Sequence, residues 1–319
     1  MRVVLGPMEG VLDHLMREML TEVNAYDLCV TEFVRVSDRL LPDHVFTRIC
    51  PELAHGSQTR SGTPVYIQLL GSKPDAMAAN AFRVAELGAK GIDLNFGCPA
   101  KMVNKSRGGA FLLQDPQQIY NIVKACRDAV PEEIPVSAKI RLGWEDPDDC
   151  FEIADAVEQA GASELTVHAR TKTGGYKASE IKWDYIRRLK DKISVPLIAN
   201  GEIWNYQDGQ NCIKTTGIDS VMVCRGAFNI PNLGNVVKYN HAIMSWHEVS
   251  HLLVQYSQSE IKGDKGKYFP NRIKQWLAYL RHEYTEAESL FRDIRTYQQA
   301  APIVDHLKRY RADLLTQPA

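Results

Sequence analysis

Several things are scarce in this 319-residue chain, and each scarcity excludes something. No apolar run approaches the length of a membrane-spanning helix, and the first one, Val3-Val4-Leu5, breaks at Gly6-Pro7, so neither an anchor nor a secretory leader is expected. Charge of one sign is missing too. Lys plus Arg total 38 against 39 acidic residues, a net of -1, which excludes the global basic excess of a dedicated nucleic-acid binder and makes any RNA contact local. The seven cysteines are odd in number and form no CxxC pair, which points to reduced thiols in the cytoplasm and away from a disulfide frame or structural zinc. No Gly-rich dinucleotide turn follows Leu5, and no low-complexity tract stands out.

What is present is alternation. Short apolar runs recur at 3–5, 28–31, 64–69, 91–94, 135–140, 164–168, 195–199 and 220–224. Between them lie stretches with helical spacing, such as 75–87, 116–129 and 151–160, the last stopped by Gly161. Eight strand-helix units over about 240 residues predict a (β/α)8 barrel rather than an open doubly wound sheet. Past Tyr239 the strand pattern ends. The spans 246–259, 272–281, 286–296 and 303–315 read as amphipathic helices, with Gly263 to Lys267 as a turn between the first two. The expected division is a barrel over 1–240 and a small helical domain over 241–319. From Trp246 onward 11 Lys and Arg stand against 9 acidic residues, leaving 27 against 30 in the barrel, a slight excess that a solvated helical surface explains equally well.

Chemistry is expected where barrel strands end. Reading off those ends gives Pro7-Met8-Glu9, Gln68, Asn95 with Cys98, Lys139 with Arg141, His168 with Arg170, Asn200-Gly201-Glu202 and Arg225-Gly226. One such residue is ordinarily structural. Seven converging positions need something to pair with, because buried polar groups are costly alone. Cys98 sits between Gly97 and Pro99, which present its sulfur on a stiff, uncrowded turn, although an inert core thiol is the plain alternative. Asn200-Gly201 and Arg225-Gly226 follow strands seven and eight, the usual barrel phosphate site, so a phosphate-bearing cofactor is the economical inference.

The ordered set Leu5-Gly6-Pro7-Met8-Glu9-Gly10, Asn95-Phe96-Gly97-Cys98-Pro99, Lys139-Ile140-Arg141, His168-Ala169-Arg170-Thr171, Ala199 to Ile203 and Arg225-Gly226-Ala227 resembles the tRNA-dihydrouridine synthases nearly end to end. In Thr31 to Arg35, the continuation to Asp13, and Arg272 to Leu277 it is most similar to the bacterial class C branch. The resemblance implies an FMN enzyme that uses NADPH to reduce a uridine of the tRNA D-loop, at position 16 in that branch.

Carried over residue by residue, the resemblance implies Cys98 as the acid that protonates C5 of the uracil. It implies Asn95, Tyr176 and Arg141 at the uracil, and Lys139 and His168 near the flavin ring. Pro7, Met8, Glu9 and Gln68 would border that ring, and Asn200, Gly201, Glu202, Cys224 and Arg225 the ribityl phosphate. Arg35, Arg272, Lys274 and Arg295 would grip tRNA, and no obligate protein partner is implied. A thiol suits the acid's task, since with an ordinary pKa near 8.5 it is protonated at neutral pH yet yields its proton readily. Three positions depart from the family pattern: Cys224 where Gly is usual before Arg-Gly, and more mildly Phe96 and Ala169.

His247-Glu248-Val249-Ser250-His251 matches the zinc motif HExxH, yet Ser245 followed by Glu248 is a capping box that accounts for the glutamate, and no third ligand motif follows. Two rivals to the synthase reading remain. One is an FMN barrel reducing a free pyrimidine or an enone, and the other a non-catalytic tRNA-binding chaperone.

Overall fold

In the computed structural model, which describes residues 1–262 and 266–316 with the side chains of 260–262 left aside, eight parallel strands close into a barrel in sequence order. They are β1 (Arg2–Leu5), β2 (Leu28–Arg35), β3 (Val65–Leu70), β4 (Ile92–Asn95), β5 (Val136–Arg141), β6 (Glu164–His168), β7 (Leu197–Asn200) and β8 (Ser220–Val223). Ring closure is made by β8 against β1, with Val3 opposite Val221 and Leu5 opposite Val223. The helices begin where local chemistry starts them. Asp115 accepts from the Gln118 N–H to open Pro116–Ala129, Asn205 does the same through Asp208 for Tyr206–Thr216, and Gly217 in the left-handed region closes the latter.

The lower interior of the barrel is apolar, filled by Val4, Leu28, Val30, Ile198 and Met222 with Tyr66 and Cys224 packed against them. Above this plug, strand alternation turns polar residues inward: Gln68, Asp93 and Asn95, then Ser137, Lys139 and Arg141, then His168 and Asn200, all buried. That change in polarity along the barrel axis locates the site.

One strand exceeds its sequence expectation. Where the apolar run stops at Thr31, β2 continues to Arg35 through a register shift between Val30 and Phe33. The bulged pair Thr31-Glu32 keeps its hydrogen bonds by other means, since the Thr31 hydroxyl donates to the Glu32 carbonyl and accepts from the Gln68 N–H. A polar bulge has the same sequence pattern as a strand end.

The tail forms helices at Trp246–Lys262, Phe269–Leu280, Thr285–Ile294 and Ala300–Thr316. The expected turn from Gly263 to Lys267 lies outside the described residues at 263–265, and Gly266–Tyr268 forms a single 3-10 turn. Ile273, Trp276, Leu277 and Leu252 belong to the same continuous core as Leu12 and Phe228 of the barrel side. Ser245 and Glu248 make the expected capping box: the Glu248 carboxylate accepts from the Ser245 N–H and hydroxyl, and the Glu248 N–H returns to Ser245 Oγ. Among the described residues no helix is long and apolar enough to cross a membrane.

Candidate active site

A cavity of about 480 Å3 opens at the C-terminal end of the strands. It collects Pro7, Met8, Glu9, Gln68, Asn95, Cys98, Lys139, Arg141, His168, Tyr176, Asn200, Gly201, Glu202, Cys224 and Arg225, every residue named above for catalysis, cofactor or uracil. The four residues assigned to tRNA lie outside it.

Cys98 is half-buried at the rim, the other cysteines except Cys224 being buried. Partial burial pushes its thiol above the ordinary value, Glu9 adds to the shift, and the Ala100 N–H and Arg141 oppose it. The sulfur is therefore a protonated thiol at neutral pH. Its turn is held from below by a relay. Asn95 Oδ1 accepts from the N–H groups of Gly97 (3.0 Å) and Cys98 (2.9 Å), Asn95 Nδ2 donates to Gln68 Oε1 (2.8 Å), and Gln68 Nε2 donates to Asp93 (2.7 Å). Asp93 also accepts from Ser137 Oγ, so its buried carboxylate anchors the chain of contacts. Asn95, expected at the uracil, thus also holds the turn that bears Cys98.

Arg141 ties two loops together. Its Nε donates to the Gly97 carbonyl (2.8 Å) and its Nη1 to those of Thr171 and Gly175 (3.3 and 3.2 Å). The Tyr176 ring, half exposed, lies between the guanidiniums of Arg141 (5.1 Å) and Arg225 (4.9 Å). Arg225 in turn faces Trp204 and pairs with Glu202. The Arg225 side chain is therefore engaged by two rings and a carboxylate.

Four cationic side chains, Lys139, Arg141, Arg170 and Arg225, face the cavity with two carboxylates. Glu202 is ionised, kept below its usual range by Arg170 (2.6 Å), Trp204 and Arg225 against the effect of burial. Glu9 is raised to about 7, by desolvation and then by Glu32, so it is largely neutral below that pH. Burial lowers Lys139, whose Nζ donates to Asn200 Oδ1 (2.9 Å). Burial, Arg141 and Lys139 hold His168 well below its usual value, a neutral imidazole whose Nε2 accepts from Arg170. The surplus of positive charge fits an anionic, phosphate-bearing group.

The loop after β7 runs through positive-φ backbone. Gly201 has φ +120, and a Cβ there would meet Ile181 Cδ1 at 2.7 Å and the His168 ring at 3.0 Å. Glu202 follows with φ +53, one of four described non-glycine residues at positive φ. Cys224 is not one of them. Its Sγ occupies space that a Cβ on Gly6 would need, at 2.6 Å, so Gly6 makes room for the side chain that departs from the family pattern.

Of the four expected tRNA residues, Arg35 and Arg295 are exposed. Arg272 instead reaches from the tail to the barrel, paired with Asp13 (2.7 Å) and bonded to the Tyr256 hydroxyl (2.9 Å), and Lys274 donates to the Tyr297 carbonyl (2.6 Å). Sequence reasoning missed Trp204, Phe33 and Tyr279 as lining residues. Tyr279 comes from the tail helix Phe269–Leu280, stacks near Phe228 (5.4 Å) and completes the rim. Its signal was faint, since it adjoins the buried positions Trp276 and Leu280 of an amphipathic helix.

A barrel of this topology with a cationic, thiol-bearing mouth matches the profile of the dihydrouridine synthase family over residues 4–312, and the chain belongs to that family. It is accordingly an enzyme, a flavin-dependent oxidoreductase by class, which removes the chaperone alternative. Curated relatives named tRNA-dihydrouridine(16) synthase include one from Vibrio parahaemolyticus, 72% identical over 314 residues and 98% of both chains. Others are from Yersinia pestis, 57% identical over 97% of this chain and 99% of the relative, and from Escherichia coli, 57% identical over 95% and 96%. A variant of NCR from Zymomonas mobilis shares the fold at TM-score 0.54 and 13% identity, covering 76% of this chain and 88% of that one.

Proposed function

We propose that this protein reduces uridine 16 of the tRNA D-loop to 5,6-dihydrouridine, with FMN as its flavin and NADPH as reductant, in the cytoplasm. The observation that carries the reading is the half-buried Cys98 thiol, protonated and held by Asn95 at the rim of a cavity whose floor is cationic.

When bound, FMN supplies the hydride that reaches uracil C6. Lys139, with His168 beside it, places positive charge and hydrogen-bond donors at the floor, where negative charge on the ring system is stabilised. Pro7, Met8, Glu9 and Gln68 border the ring, and the backbone from Asn200 to Glu202 and from Cys224 to Arg225 receives the phosphate. Asn95, Arg141 and Tyr176 hold the uracil, and Cys98 Sγ delivers a proton to C5 from the face away from the flavin. A flavin sunk in a barrel mouth requires the uridine to leave its stack, so affinity must come from contacts along the folded RNA. Residues 1–240 serve as the catalytic barrel and 241–319 as the tRNA-binding part, with Arg272, Lys274 and Arg295 its gripping positions and Arg35 joining them from the end of β2. Arg272 and Lys274 act from docked orientations, setting how the tail presents its surface.

Reconstitution tests this. The purified protein loaded with FMN and given NADPH and tRNA lacking dihydrouridine is expected to form it at position 16. Conversion of free uridine at a comparable rate, or modification elsewhere in the D-loop with 16 untouched, would refute the assignment.

A further inference from the structure

A second cleft, of about 200 Å3, lies on the same rim beyond the ends of β2 and β3. Arg35, Ser37 and Asp38 line one side, Ser72 and Lys73 another, and Ser106 with Gly108 the third. The loop after Cys98 divides it from the catalytic cavity: Cys98, Pro99 and Ala100 line the first, Ser106 and Gly108 the second. Asn104 Nδ2 donates to the Cys98 carbonyl (2.8 Å), which ties the two faces of that loop together.

The cations here are not docked as Arg272 and Lys274 of the tail are. Arg35 donates across the cleft to Ser106 Oγ (2.6 Å), and among the described residues neither Arg35 nor Lys73 forms an ion pair. Asp38 is the one acidic lining residue, and it accepts from Ser37 Oγ (3.2 Å). Exposed Lys105 and Arg107 flank Ser106. Two cations outside any ion pair, against one carboxylate, stand with three hydroxyls in a small concavity, a set of donors suited to a tetrahedral oxyanion.

We propose that this cleft holds a backbone phosphodiester of the bound RNA through Arg35 and Lys73, next to the nucleotide presented to Cys98. The assignment rests on the proposed action on tRNA and adds to it a fixed register: a strand crossing the loop that bears Cys98 puts its base in one cavity and a neighbouring phosphate in the other. Lys73 and Ser106 become RNA contacts, and the cleft takes RNA rather than the phosphates of the dinucleotide reductant.

The test is tRNA affinity as a function of salt for the FMN-loaded protein and for Lys73→Ala, Lys73→Glu and Lys214→Ala, the last removing an exposed charge from the final turn of Tyr206–Thr216 at the foot of the barrel. Lys73→Ala is expected to weaken binding roughly fivefold and to flatten the log-log salt slope by about 0.7–0.9, the loss of one phosphate contact. Lys73→Glu should weaken it further, and Lys214→Ala should follow the wild type. Wild-type slopes in both Lys73 variants would overturn the cleft alone, as would a raised KM for NADPH with tRNA binding unaltered. Absence of salt-dependent tRNA binding in the wild type would overturn the proposed function as well.

Discussion

At the scale of single residues, the Cys98 turn is only as good as its supports. Asn95 satisfies two backbone N–H groups of that turn while Gln68 and Asp93 fix its amide. Asn95→Ala should therefore lower kcat for dihydrouridine formation roughly 10²-fold, because small misplacements of a reacting group are that costly, with flavin absorbance retained. His168 gives a second prediction. Its buried ring stays neutral in the folded state, whereas unfolding frees it to take a proton near the ordinary histidine value of 6.5. Its contribution to stability is thus present above that pH and lost as pH falls below it, by at most about 1.4 kcal/mol per pH unit. Melting temperatures at pH 7.5 and 5.5 should differ more for the wild type than for His168→Gln, and equal differences would count against a neutral buried imidazole.

At the scale of elements, β1 and β8 are fitted to one another by an exchange of bulk. Gly6 stands where a Cβ would meet Met222 at 2.5 Å and Cys224 Sγ at 2.6 Å. Gly6→Ala should destabilise by about 1–3 kcal/mol, as overpacking does, and adding Cys224→Gly should restore part of the loss, which denaturant midpoints of the single and double variants would show. If the double variant is no better than Gly6→Ala, the sulfur is not what Gly6 accommodates. This pairing also marks how far sequence carried. Strand-end polarity accounts for every expected cofactor and uracil residue in the cavity except Tyr176 and Cys224, which the resemblance supplied, because a parallel barrel sends every strand end to the same rim. Packing across strands is not legible: Cys224 departs from the family pattern and its room comes from Gly6 opposite, while the bulge at Thr31-Glu32 has the polarity of a strand end. Both depend on neighbours distant in sequence.

For the molecule as a whole, barrel and tail share a core, and Arg272 joins them through Asp13, a carboxylate with almost no exposure. Arg272→Ala removes one partner of that carboxylate, which also accepts from the Met16 N–H. It should lower stability by roughly 3–5 kcal/mol as well as tRNA affinity, whereas Arg295→Ala on the exposed surface should leave the melting temperature alone. Sequence marked Arg272 by resemblance, but its partner lies some 260 residues away, and nothing local in either segment announces the contact. The same docking brings Tyr279 to the rim, so the tail completes the site instead of merely neighbouring it. The central claim is that Cys98 is the proton donor in that completed site. The most direct measurement is quantification of dihydrouridine at each D-loop position after reaction of FMN-loaded Cys98→Ala with NADPH and unmodified tRNA, beside the wild type. Formation slowed roughly 10²–10⁴-fold with tRNA binding intact is the predicted result, and a wild-type rate would contradict it.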